Sequence, residues 1–169
     1  MEAEKLSPAE SEAFRLALRV RHPSMDPTEL SRAFRIEPEY AYRAGSKRPS
    51  RSNLTAPSVH SDSYWLGELA PTAQLLHLSF AGVQQVAQRQ QTAPRSNLTC
   101  NLTWALALTC ARVLKTQADL LRRIRAEGGD VTLLVTICSD ELASFSLLPE
   151  ATRLFGELGV SIEFEIVRE

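Results

Sequence analysis

Apolar and polar residues alternate with a period of two from Ala13 to Val20: Phe14, Leu16, Leu18 and Val20 face one way, Arg15, Ala17, Arg19 and Arg21 the other. That is the pattern of a half-buried strand. His22-Pro23 breaks it, and Asp26-Pro27-Thr28-Glu29 has the order of a helix start, with a capping acid, a proline at the first helical position and a second acid in the first turn. Leu30, Ala33 and Phe34 make the buried face of a short helix over 27–34. Ile36-Glu37-Pro38 ends it, because the residue before a proline is pushed out of the helical region. From Glu39 to Pro57 the composition turns to Gly, Ser, Pro and Arg, which predicts a loop with a short edge strand at Tyr40 to Arg43. Strand character returns between Val59 and Leu69, around Tyr64, Trp65 and Leu66.

Leu75 to Val86 has no clean period and reads as a helix or an insertion; Gln84 to Asn97 reads as an exposed loop, so the middle of the chain, about 70–100, is loop-rich. Then the period changes. Leu102, Leu106, Cys110, Val113, Leu114, Leu120, Leu121 and Ile124 recur at spacings of three and four, which predicts one long helix from Asn101 to the Gly128-Gly129 pair. Arginines crowd its last turn, where they suit the negative end of the dipole, and the glycines allow a sharp exit. Val131 to Cys138 is a continuous apolar run rich in β-branched residues, the mark of a central strand covered on both faces. Leu147 to Leu158 returns to helical spacing and is closed by Gly159. In a last strand Val160, Ile162, Phe164 and Ile166 alternate with Ser161, Glu163, Glu165 and Val167. Two strand–helix–strand units joined by a long helix predict a single α+β domain over 12–169, after a polar lead-in at 1–11. Its sheet is expected to be mainly antiparallel with helices on one face, in a ferredoxin-like plan.

A length of 169 residues, 44% hydrophobic and 23% charged, suits one domain with one core. The net charge of −1 argues against whole-surface attraction to nucleic acid or anionic membrane and leaves a local patch open. No stretch reaches the ~20 apolar residues of a membrane span, and Met1 to Pro8 carries no signal-like run, so a cytoplasmic protein is expected. Cys100, Cys110 and Cys138 form no Cys-x-x-Cys pair and read as reduced, buried thiols.

The order of these elements carries a likeness. A strand is followed by Asp26-Pro27-Thr28-Glu29-Leu30 opening a helix, Ile36-Glu37-Pro38, a basic loop holding Gly45, Trp65, and a helix ending Leu158-Gly159-Val160 before a final strand. This resembles the bacterial domain of unknown function 4279, over roughly residues 12–168. The chain departs from that pattern at Phe34-Arg35, where Leu-Gly is usual, and in a longer middle around 70–100. The resemblance implies no established activity.

Candidate chemistry centres on the loop 43–51, whose four cations, Arg43, Lys47, Arg48 and Arg51, stand among no acids. Flanked by Tyr40, Tyr42, Tyr64 and Trp65, it suits an anion or an acidic partner surface. Aromatics beside arginines also serve single-stranded nucleic acid, a version the near-zero net charge weakens. The plainer alternative is a solvated loop with Trp65 in the core or at its rim. His60 and Asp62, with Ser63 and Tyr64, contain the residue types of acid–base catalysis, yet no Gly-x-Ser-x-Gly nucleophile turn accompanies them. His22, His60 and His77 lack metal-ligand spacing, and no phosphate loop occurs, so neither metal nor cofactor is predicted. These features favour a non-enzymatic module that binds another protein, of the immunity or accessory type common among small bacterial α+β domains. Pairing of copies through the acidic face of Glu163 and Glu165 is a variant. The alternatives are a hydrolase-like enzyme using His60 and Asp62, and anion or nucleic-acid binding through 43–51.

Overall fold

A computed structural model of the chain describes residues 14–48, 59–69, 106–107, 109–138, 147 and 149–167. The polar lead-in, Arg51, His77, the loop-rich middle and the start of the long helix lie outside these residues. The described elements are β1 (Phe14–His22), α1 (Pro27–Phe34), β2 (Tyr40–Tyr42), β3 (Ser63–Glu68), α2 (Ala118–Ala126), β4 (Asp130–Cys138), α3 (Pro149–Leu158) and β5 (Ser161–Val167). The chain is therefore α+β, with a five-stranded sheet in the order β2-β3-β1-β4-β5.

The sheet is mixed, which corrects the mainly antiparallel expectation: β4 and β5 run parallel while the other neighbouring pairs run antiparallel. The cause is the connection. A helix between two strands returns the chain to the end it started from, so β4, α3 and β5 make a parallel pair. In the first unit β3 inserts between β1 and β2, whereas in the second the two strands are neighbours.

Register explains the core. Leu16, Leu18 and Val20 of β1 stand opposite Val135, Leu133 and Val131 of β4, and Val20 also stands opposite Trp65 of β3. All seven are at most 1% exposed, and each fully buried Val or Leu stabilises the fold by about 1.5–3 kcal/mol. Onto this face pack Leu30 and Phe34 of α1, Leu121 and Ile124 of α2, and Ala151, Phe155 and Leu158 of α3. Among the described residues the three helices thus share one side of the sheet, and the residues alternating with Leu16, Leu18 and Val20 form the other side. No helix among the described residues is long and apolar enough to cross a membrane.

Helix ends follow the local chemistry. Asp26 caps α1 by accepting from the Thr28 N–H at 3.0 Å, with Pro27 at the first position. Immediately before it, His22 Nδ1 accepts from the Met25 N–H at 2.8 Å and the Ser24 N–H at 3.1 Å, turning the chain from β1 into α1. The end of α2 is closed by Gly128 at φ +82, with Gly129 N–H donating to the Ile124 carbonyl at 2.8 Å.

Among the described residues the single long helix expected before Gly128 is interrupted: helical residues 106–107 and 109 lead into a π turn at Cys110–Leu114, a 3₁₀ turn at Lys115–Gln117 follows, and then α2. Thr116 accounts for part of this. Its hydroxyl bonds back to the Arg112 and Val113 carbonyls at 3.1 and 2.9 Å, competing with regular helical bonding. The apolar stripe survives the break, since Leu106, Cys110, Leu114, Leu121 and Ile124 are all at most 1% exposed.

Cys110 lies within that stripe, and burial pushes its thiol from 9.0 up to about 12. A raised folded value means that the stabilisation is complete below pH 9.0 and is lost as pH climbs towards about 12. Measured in a Cys100→Ser/Cys138→Ser background, the urea midpoint is expected to fall through this alkaline window. A further Cys110→Ala change should flatten that fall. Equal slopes with and without the Cys110 thiol would refute the assignment.

Candidate functional site

Strand register builds an aromatic patch on the side of the sheet opposite the helices. Tyr42 pairs with Tyr64 across β2 and β3, Tyr40 pairs with Leu66, and Tyr64 pairs in turn with Arg21 of β1. The Tyr42 and Tyr64 rings stack with centroids 5.3 Å apart and planes 11° from parallel. Tyr40 meets both edge-on, at 5.7 and 5.9 Å. His60 stacks on the free side of this pair, 3.6 Å from Tyr42, and the Arg21 guanidinium lies 5.8 Å from the Tyr64 ring centre. Tyr40 keeps 51% of its surface exposed and so presents the patch to solvent.

Backbone bonds hold His60 in place. Its N–H donates to the Ser46 carbonyl at 3.0 Å, and its carbonyl accepts from Gly45 at 2.8 Å. Lys47 bridges Val59 next to these bonds, and Ser63 Oγ accepts from the Ala44 N–H at 3.0 Å. The described part of the basic loop is thereby tied to the start of β3.

Charges around the patch are largely balanced. Arg15 reaches Glu39 at 2.8 Å and Glu68 at 3.0 Å, and this pairing holds the Glu68 carboxyl below its ordinary value. Arg19 crosses β4 to meet Glu163 of β5 at 2.6 Å. Arg43 pairs with Asp26, the cap of α1. Burial and the nearby Asp62 raise the Tyr42 hydroxyl above its ordinary value, against the opposing pull of Arg21. Lys47 and Arg48 are exposed and make no ion pair among the described residues.

The structure thus gathers Tyr40, Tyr42, Tyr64 and His60 and places Lys47 and Arg48 on the adjoining loop. It separates the other candidates. Trp65, expected beside the tyrosines, is fully buried on the opposite face; its indole N–H donates to Ser31 Oγ at 3.0 Å and its ring meets Phe34 at 5.7 Å. Successive strand residues point to opposite faces, so Tyr64 and Trp65 cannot share a surface. Arg43 is exposed but paired with Asp26, and Arg51 lies outside the described residues.

His60 and Asp62 precede β3 in a bend, and no hydrogen bond joins them; Asp62 Oδ1 accepts instead from Ser61 Oγ at 3.3 Å. The described residues contain no group of three His, Cys, Asp or Glu side chains placed to hold a metal ion. Sequence reasoning missed Arg21 and the stacking role of His60. The register of β1 on β3 makes Arg21 a neighbour of Tyr64, and its placement opposite Leu18 and Val20 in the alternation was the available signal. In comparison with known proteins, the chain matches no family model, no curated protein and no solved structure.

Proposed function

We propose that this chain is a non-enzymatic protein-interaction module whose contact surface is the tyrosine patch together with the adjoining basic loop. The observation that carries this reading is the packed set of Tyr40, Tyr42, Tyr64 and His60 on the sheet face left open by the helices. Tyrosine supplies large contact area at low entropic cost and is enriched where interfaces gain most of their energy. With Arg15, Arg19 and Arg43 paired to acids, Arg21, Lys47 and Arg48 are the cations of this surface without an acid partner among the described residues, short of the sustained positive field that nucleic acid needs, which favours a protein partner. Membership of the domain of unknown function 4279 family, with a cytoplasmic immunity or accessory role, belongs to this proposal and rests on the order of residues given above. So does the ferredoxin-like plan, which the split unit of β1, α1, β3 and β2 supports.

The test is affinity capture from the source organism with wild-type protein, Tyr40→Ser/Tyr64→Ser and Lys47→Glu/Arg48→Glu, after each variant's fold has been verified by circular dichroism. A partner bound by the wild type is expected to lose at least about tenfold in affinity to the tyrosine variant, or about 1.4 kcal/mol. A partner retained equally by both variants would overturn the placement. Nucleic acid is the second reading, favoured by the sheet-face stack of Tyr42 and Tyr64, since bases stack on such rings. It requires binding of a single-stranded oligonucleotide that weakens steeply with salt.

A further inference from the structure

A groove lies on the helical side of the molecule, apart from the tyrosine patch. It has a volume of about 490 Å³ and opens between the C-terminal end of α1 and the π and 3₁₀ turns that precede α2. That volume falls in the range of about 300–1,000 Å³ usual for small-molecule sites. Its charged lining is of one sign: Arg32 and Arg35 from the end of α1, and Arg112 from the π turn. None of the three makes an ion pair with a described carboxylate, and no Asp or Glu is among the described lining residues. By contrast Arg15, Arg19, Arg43, Arg122 and Arg123 elsewhere on the surface pair with acids. Phe34 and Val113 give the groove an apolar wall, and the Gln117 amide adds a neutral polar group.

Two backbone features concern the same residues. Arg35 occupies the left-handed region at φ 56, ψ 38, closing α1, where α2 and α3 are followed by Gly128 and Gly159 at positive φ. A side chain there carries a conformational cost that glycine avoids, and it places a guanidinium at the groove's rim. Arg112 sits within the π turn, a distortion that recurs at functional sites. The carbonyl end of α1 contributes about half a negative charge, which three guanidiniums outweigh.

We propose that this groove binds a small organic phosphate, its phosphoryl group held by Arg32, Arg35 and Arg112 and its compact apolar body set against Phe34 and Val113. Guanidinium forks match phosphate oxygens in pairs, and three cations call for a ligand carrying more than one negative charge. This site is independent of the tyrosine patch and of the partner proposed for it.

Calorimetric titration at low salt with phenyl phosphate, inorganic phosphate and benzoate tests the proposal. Phenyl phosphate is expected to bind more tightly than either of the others, the first comparison reading the apolar wall and the second the charge. Arg112→Gln is expected to weaken it at least tenfold. Arg35→Gly is the decisive variant, because removing the left-handed side chain should raise Tm while the affinity falls at least tenfold; loss of binding then cannot come from unfolding. Tyr40→Ser should bind as the wild type does. The proposal is overturned by absent phenyl phosphate binding, by benzoate binding equally well, or by wild-type affinity in Arg35→Gly and Arg112→Gln. Inorganic phosphate binding as tightly as phenyl phosphate would overturn it too, since the apolar wall would then contribute nothing.

Discussion

Replacing Trp65 with alanine is expected to lower the unfolding free energy by about 3–5 kcal/mol, read as a shift in urea midpoint at unchanged slope. The side chain has no exposed surface, its ring contacts Phe34, and its N–H is satisfied by Ser31. Removal therefore opens a cavity between α1 and the sheet and leaves a hydroxyl without its donor. The ring also explains Gly67, two residues along the same face. A methyl group at Gly67 would lie 2.3 Å from Trp65 Cη2 and 2.6 Å from Cζ2, so Gly67→Ala in the wild type should cost about 1–3 kcal/mol. In the Trp65→Ala background most of that cost should vanish, leaving only the longest of the three contacts, to Ile36 Cγ2 at 2.9 Å. A loss below about 1 kcal/mol for Trp65→Ala would return the ring to the surface and restore it as a binding residue.

Gly129→Ala should also be costly, about 3 kcal/mol, though the residue has an ordinary backbone conformation. A methyl there meets His22 Cδ2 and Ile124 Cγ2 at 2.7 Å, and the Arg21 carbonyl at 2.9 Å. Two of these atoms belong to buried side chains and the third to the backbone of the central strand, so none can yield easily. Gly128 is the contrast. It lies at φ +82 with Pro23 Cγ 4.0 Å away, so Gly128→Ala costs only the left-handed conformation, about 1–2 kcal/mol. Thermal or urea unfolding that ranked Gly128→Ala as the more damaging of the two would contradict this account of the turn.

Much of the fold can be read from local spacing. Alternation in β1 and β5, the proline-led start of α1 and the glycine exit from α2 are properties of a few neighbouring residues, and each appears where its spacing places it. The long helix was legible as an apolar stripe but not as a broken one. Period reports which residues face the core, while the π and 3₁₀ turns keep those residues inward and alter only the backbone between them. In the candidate site, Tyr40, Tyr42, Tyr64, Lys47 and Arg48 were legible as aromatic and basic residues near one another in sequence. The partners that neutralise or extend them were not, because Arg19 reaches Glu163 across 144 residues of chain and Arg15 reaches Glu68 across 53. The arginine groove was wholly hidden, since Arg35 and Arg112 lie on segments that only the packing of α1 brings together.

By itself the sequence determined which residues could be buried together on each element and where capped elements such as α1 start and α2 stops, because periodicity and capping act over one or two turns of chain. It also held, unused, the rule that Tyr64 and Trp65 must part to opposite faces. Only the tertiary structure decided which of those faces the helices cover, that β4 and β5 run parallel, that β1 lies at the centre, and that three arginines stand together without acids. Those outcomes depend on contacts between distant segments, whose energies no local pattern contains.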